Sequence, residues 1–404
     1  MHASHIVARV LGGVQDLMHA GRFRALHDVA AAAVAGALLS LTGLALHTAR
    51  PTALRHRVKC IDRLLGNRHL AAEREAVYAA LARRWLAGLP QLLIVVDWSS
   101  LTADLRWHWL RASVVVDGRS LTLYEEVHPR CRLANLAVHR RFIERLARIL
   151  PPSDLPPIIL TDAGFRNPWF RLVAQRGWHW IGRIRNRDFV RENTYTPWFP
   201  AKQLYGCATA QAQDLGAHET VRNNPLVCRL VLVKNPPKAR KCRYPSGKEK
   251  RNSPMRKIAS RNREPWLLTC SPALEHLSAN AIVKLYAQRM RIEQQFRDTK
   301  NTALGMGLSH NRSAGSKRLQ ALLLIAHIAQ LALRLIGEAA RSRQLELRLM
   351  STGRTDRAEI SVMTLARRLI AAPALLRQIG DPWHHLHRLR AQVMNAVNRA
   401  SPAA

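Results

Sequence analysis

Acidic side chains are scarce in this sequence: 27 Asp and Glu stand against 63 Lys and Arg in 404 residues, a formal net charge of +36 with His neutral. That excess goes beyond solubility tuning and predicts a polyanionic partner, most naturally nucleic acid held through many salt-sensitive phosphate contacts. A basic ribosomal or membrane-surface protein is the blander alternative. A disordered basic tail is argued against by the 48% hydrophobic content. Cysteine is sparse too. The six present, Cys60, Cys131, Cys207, Cys228, Cys242 and Cys270, form no CxxC pair, which leaves no zinc knuckle or disulfide framework and suits a reducing cytosol. No GxxxxGK[ST] loop occurs, so no ATP use is expected. The 18 histidines show no ligand spacing. His2 and His5 precede a mixed segment, so no secretory signal is expected. Two uncharged or nearly uncharged runs, Val29 to Leu46 and Ala321 to Leu335, are the only membrane candidates. The first is rich in alanine and glycine and broken by Ser40 and Thr42; the second contains His327, Gln330 and Arg334. Both read as buried helices, and no membrane is expected. No internal repeat is evident.

What is present changes character along the chain. Residues 1–88 look wholly helical: Val29 to Leu39, Ser40 as a cap, Leu41 to His47, then a helix after Pro51 carrying Arg55, Arg57, Lys59 and Arg63. Three short helices with a basic last one fit a helix-turn-helix-like DNA-binding domain, although any small helical bundle looks similar. From Pro90 the pattern alternates. Leu92 to Val96 reads as a buried strand running into Asp97, and "ASVVVDGRSLTLYEEV" as a hairpin about Asp117-Gly118. A helix over 138–149 follows, then a buried strand in "PIILTDAGF" running to Asp162. Asn167-Pro168 starts a helix by cap and first-turn logic, and "WHWIGRIR" is one more strand. This is a mixed α/β sheet flanked by helices. Residues 186–264 interrupt the rhythm with a strand at Leu226 to Val233. The stretch from Lys234 to Arg263 is a solvated basic loop and, at the same time, a phosphate-contacting arm. The strand "WLLTC" resumes the core over 265–315, and 316–404 is mostly helical, for packing or dimerisation.

Two apolar strands thus each lead to an aspartate, Asp97 and Asp162. A carboxylate there sits at the rim of a sheet, where ligands commonly bind, although either one alone reads more readily as a turn or capping residue. Glu293 on a nearby helix makes a third. Three converging carboxylates would strongly favour a bound hard cation, because like charges so close need neutralising. Oxygen-only ligation suits Mg²⁺ or Mn²⁺, and two such ions can polarise a phosphodiester and activate water or a 3′-hydroxyl.

The stretch "YAQRMRIEQQFRDTKN", residues 286–301, reads as one amphipathic helix. At roughly 100° per residue, Tyr286, Arg289, Glu293 and Lys300 fall within an arc of about 60°. Leu285, Ile292 and Phe296 form an apolar strip beside them, which would pack the helix on the sheet with the polar stripe at its rim. Glu293 would complete the metal site, Arg289 and Lys300 would grip phosphate oxygens, and Tyr286 would donate a hydrogen bond. A surface helix with a plain Arg289–Glu293 pair is the alternative.

Tyr286-x2-Arg289-x3-Glu293-x6-Lys300, in order after Asp97 and Asp162, resembles the signature of the insertion-sequence-four family of bacterial DDE transposases. The separations 97–162 and 162–293 are most similar to its Tn-ten/IS-ten branch, with Tn-five-like members also related. The resemblance covers about residues 90–315. It implies a ribonuclease-H-like catalytic core in two parts, 89–185 and 265–315, with a β-rich basic insertion over 186–264. The helical regions 1–88 and 316–404 match only in general character. It also implies that Asp97, Asp162 and Glu293 bind two divalent ions, Mg²⁺ or Mn²⁺. Such enzymes bind the terminal inverted repeats of their element, cut it free by nicking and a hairpin step, and join the 3′ ends to target DNA within a paired dimer. Tyr286, Arg289 and Lys300 would hold the phosphate near the hairpin end. Trp266 looks like the counterpart of a tryptophan that stacks on a flipped base, with a core tryptophan at a strand start as the alternative. Met290 stands where some members carry a second tryptophan. The implied setting is bacterial cytoplasm, at the nucleoid. The rival readings are an inactive or domesticated DNA-binding descendant and a host nuclease of the same fold.

Overall fold

A computed structural model describes residues 3–234, 264–303, 305–350 and 360–398. Most of the basic arm, 235–263, lies outside the described residues. The chain forms two compact units, one of residues 1–155 and 290–396, the other of 156–289 and 397–404. Their three boundaries differ from the limits of the sequence segments, because compactness follows packing whereas segment limits follow changes of sequence pattern.

The first unit opens with five helices: α1 (Ala3–Val10), α2 (Ala20–Val34), α3 (Leu41–His47), α4 (Leu54–Leu65) and α5 (Arg68–Leu86). The alanine-rich helix therefore begins and ends earlier than its apolar run suggests, with Gly36 at φ +110° just beyond its end. Ser40 does cap α3, its hydroxyl accepting the Gly43 amide proton at 3.1 Å. On α4, Arg55, Lys59 and Arg63 are exposed at four-residue spacing while Ile61, Leu64 and Leu65 are buried.

Three antiparallel strands follow: β1 (Leu93–Ser100), β2 (Trp107–Val116) and β3 (Arg119–Pro129). The β2–β3 hairpin turns at Asp117-Gly118, with Gly118 at φ +69°, the left-handed conformation that a two-residue hairpin loop needs. Helix α6 (Leu136–Ile149) covers one face of this sheet. On the other lies α9 (Met290–Lys300). The long α10 (Ser316–Ser342) also packs against β3. It is long and apolar enough to span a membrane, but 94% of its most apolar window is buried inside the protein. Short helices α11 (Glu346–Leu349), α12 (Val362–Ile370) and α13 (Pro373–Leu376), with α14 (Leu386–Asn398), complete the helical region.

In the second unit β4 (Ile158–Leu160) runs parallel to β5 (His179–Ile184), joined through α7 (Asn167–Ala174). The strand order is β4-β5-β10-β9-β8-β6-β7, with β6 (Phe189–Arg191), β7 (Phe199–Pro200), β8 (Gln213–Thr220), β9 (Leu226–Val233) and β10 (Trp266–Cys270). Helix α8 (Ala279–Ala287) packs on β5, β8 and β9. Gly182 allows α7 to sit tightly on β5: a Cβ there would lie 2.3 Å from the Phe170 ring, which stacks on Trp180 at 4.5 Å.

Three expectations need correction. Asp97 is not at the end of β1 but within it, with Trp98, Ser99 and Ser100 still in the strand. Asn167 does not cap α7. It is inside the helix, and its buried amide donates instead to the carbonyls of Thr220 and Asn224, both at 2.8 Å. The segment 286–301 is two helices, not one. Helix α8 ends at Ala287, Gln288 and Arg289 form a turn, and α9 starts at Met290.

Candidate active site

In the first unit the site is built from β1, β2 and α9. Asp97 is opposite Arg111 in the β1–β2 register, and Ser99 opposite Trp109. Directly paired residues share a face of an antiparallel sheet, as do residues two apart. The Arg111 guanidinium lies 4.0 Å from the Trp109 ring and 5.3 Å from the ring of Phe296 on α9. Asp97 and Ser99 are therefore on the face that α9 covers. Asp97 is 8% exposed, and its Oδ1 accepts the Trp98 amide proton at 2.8 Å.

The rotation of α9 follows from its anchors. Ile292, Gln295, Phe296 and Thr299 are buried. One flank is tied to the β2–β3 hairpin, where Arg291 donates to the Val116 carbonyl and Arg119 donates to Asp298 at 2.7 Å. At 100° per residue, Glu293 and Lys300 fall within about 20° of each other on the opposite flank. That flank faces β1: Lys300 Nζ donates to Ser99 Oγ at 2.8 Å. Glu293 and Lys300 thus share a side of the helix with Asp97. Burial, and then the charge of Arg111, lower the Lys300 ammonium to about 8.

Gln295 fixes the helix against the sheet. Its Oε1 accepts from Ser113 and Ser120 at 2.9 and 3.0 Å, and its Nε2 donates to Thr122 at 2.9 Å and to Gln330 at 3.3 Å. Across the register from Asp97, Arg111 and its β3 partner Glu125 form an ion pair at 2.7 Å with both side chains wholly buried. The Tyr78 hydroxyl donates to the second Glu125 oxygen at 3.0 Å. Burial holds the Arg111 guanidinium below its ordinary value and Glu125 acts against it. On the opposite face of β1, the Trp98 indole donates to His139 at 3.1 Å. Burial, then His128, push that imidazole down to about 4, so it stays neutral and able to accept. Sequence reasoning missed Gln295, Ser99, Arg111 and Glu125. Trp107, Trp109 and Arg111 at period two in "WHWLRASVVV" did carry a signal, a charge on an otherwise buried strand face.

The second unit carries the remaining candidates except Met290, which opens α9 in the first. Asp162 lies two residues past β4, in a turn that it helps to build: its Oδ1 accepts from Gly164 at 2.8 Å and its carbonyl from Phe165 at 3.2 Å. Phe165 is buried against Trp169 and so anchors the turn. Tyr286, near the end of α8, is 4% exposed and meets Trp266 edge-on, ring centroids 5.2 Å apart. Trp266 begins β10 and is half-buried. The Arg289 amide donates to the Tyr286 carbonyl at 3.0 Å, and Met290 is exposed. Arg183 on β5 was not anticipated. Burial holds its guanidinium below the ordinary value, while Tyr286, Tyr205 and Glu264 act the other way.

Residues 88–331, well over half of the chain, match the transposase DDE domain family. The chain belongs to that family. It is a transposase, a metal-dependent enzyme that cuts and joins DNA, and DNA is its partner. No curated protein matches it. Among solved structures it is similar to one titled "Cryo-EM structure of piggyBac transposase synaptic complex with hairpin DNA", at 9% identity and TM-score 0.40, over 96% of this chain and 78% of that one. A likeness at that level carries no argument. The DDE match encloses Asp97, Asp162 and Glu293. Their all-oxygen donor set fits the divalent ion that such domains use, although no three His, Cys, Asp or Glu side chains among the described residues are already grouped for a metal.

Proposed function

We propose that this transposase is an insertion-sequence-four member of the Tn-ten/IS-ten kind, with a ribonuclease-H-like core and a β-rich insertion over 186–264. It moves its element by cut and paste. The observation that carries the reading is the placement of Asp97 and Glu293: Asp97 is on the α9-facing side of β1 and Glu293 on the flank of α9 that faces β1, in a DDE domain match that also contains Asp162. These three carboxylates are assigned as the metal ligands, for two Mg²⁺ or Mn²⁺ ions. Bound there, the ions supply Lewis-acid polarisation of the scissile phosphate and activation of water or a 3′-hydroxyl.

The protein's own groups do the rest. Lys300 presents an ammonium, tethered to Ser99, to a phosphate oxygen. Arg289 adds a bidentate donor and Tyr286 a hydroxyl donor. Trp266 supplies a stacking face for an unpaired base at a hairpin end, supported by its half-buried position against Tyr286. Met290, exposed at the start of α9, is assigned a DNA contact. The exposed basic face of α4 reads the terminal inverted repeat. Two copies pair two ends, without ATP, in the bacterial cytoplasm at the nucleoid.

The test uses a DNA fragment carrying the gene with its native flanks, incubated with purified protein and Mg²⁺, with 3′ nicks and hairpin ends mapped. Cuts are expected to bracket the gene and to vanish in Glu293→Gln. Tight end binding without cleavage in Mg²⁺ or Mn²⁺ contradicts the reading and identifies a silenced descendant. Hydrolysis without strand joining identifies a nuclease.

A further inference from the structure

Beyond Lys300 the first unit contains an open cleft of about 520 Å³, between the β1–β2 loop and the segment that follows α9. The volume is within the range of roughly 300–1,000 Å³ typical of small-molecule sites. Leu101, Leu308 and Leu319 line it and are themselves buried, 7%, 4% and 1% exposed, so they form an apolar floor. Trp107 makes a half-buried aromatic wall, with the Arg106 guanidinium 6.0 Å from its ring centroid. Arg106, Arg312 and Lys300 supply three positive charges. The one carboxylate in the lining, Asp104, is occupied by the loop: its Oδ1 accepts from the Thr102 hydroxyl at 2.5 Å and the Arg106 amide at 3.0 Å. Arg312 is exposed, and its guanidinium makes no hydrogen bond or ion pair among the described residues.

Cations alone would suit the backbone of any DNA. An apolar floor with an indole wall is different, because duplex DNA buries the faces of its bases and offers a protein phosphates and base edges. An unpaired nucleotide offers both a π-face and a phosphate. We propose that this cleft binds one unpaired nucleotide of the DNA strand, its base against Trp107 and the leucine floor and its phosphate on Arg106, Arg312 and Lys300. The inference deepens the transposase reading and rests on it only through Lys300. It assigns a second strand-binding site, apart from Tyr286 and Trp266.

The test is binding by the full-length protein in EDTA, where metal chemistry plays no part. The probes are a fluorescein-labelled single-stranded 20-mer of mixed sequence and the same sequence as a duplex, titrated between 50 and 200 mM salt. Arg312→Ala is expected to weaken single-strand binding about fivefold and to reduce the salt slope by roughly 0.7, one phosphate contact. Trp107→Ala is expected to weaken it roughly tenfold with an unchanged slope, and Trp107→Phe to restore most of the loss. Duplex binding should change less than about twofold in all three. Equal losses on single strand and duplex would overturn the proposal in favour of a general phosphate surface. No loss on either would overturn it outright. If wild-type protein cuts its element ends yet Arg312→Ala binds single strands normally, only the cleft fails and the transposase assignment stands.

Discussion

Lys300 is the residue whose environment says most about its work. Its ammonium is half-buried beside Phe296 and Trp109, 5.7 and 5.8 Å from their ring centroids, and burial lowers it from 10.5 to about 8. It is therefore charged at neutral pH and loses its proton within reach of ordinary buffers. A phosphate binds the charged form, so affinity for element-end DNA should fall as pH rises past about 8. In Lys300→Arg the decline should disappear between pH 7.5 and 9.5, because a guanidinium remains protonated there. Fluorescence anisotropy across that range checks it. A wild-type profile flat to pH 9.5 would contradict either the lowered Lys300 ammonium or its contact with phosphate, and an unchanged affinity in Lys300→Ala at pH 7 would remove Lys300 from phosphate binding.

At the scale of elements, the α9 helix stands out. Its packing was legible in sequence as a polar stripe beside an apolar strip, and for Glu293 and Lys300 that pattern matches the observed flank. The turn at Gln288-Arg289 was not legible. No proline or glycine marks it, and spacing alone cannot tell a continuous helix from two helices joined by a tight turn. Gln295 was hidden for a related reason: a glutamine at an apolar position reads as a lapse in the pattern, yet here it satisfies Ser113, Ser120, Thr122 and Gln330 together. Gln295→Ala would leave those buried groups short of partners and should cost about 2–4 kcal/mol. That should appear as a lower urea midpoint and reduced cleavage. A midpoint within error of wild type would mean that α9 is held by its other anchors, Ile292, Phe296 and the Arg291 and Asp298 contacts to the hairpin, without Gln295. The hairpin at Asp117-Gly118, by contrast, was fully legible, because a two-residue turn with a glycine leaves little choice of register. Asp97 was legible as a candidate but not as an in-strand residue, since the hydrophobic run stops at Val96 while the backbone ladder continues to Ser100.

For the whole molecule, composition indicated a polyanionic partner and the DDE match makes that partner DNA. The three carboxylates proposed as metal ligands all fall within the DDE match. Asp97 and Glu293 belong to one compact unit and Asp162 to the other, so the account stands or falls on whether all three act on the same ions. The most direct measurement is a Mn²⁺ titration of the full-length protein bound to element-end DNA, followed by electron paramagnetic resonance. Asp97→Asn, Asp162→Asn and Glu293→Gln are each compared with wild type. The account predicts two bound ions in wild type and loss or at least tenfold weakening of binding in every variant. Wild-type Mn²⁺ binding in Asp162→Asn, with loss in the other two, would contradict it.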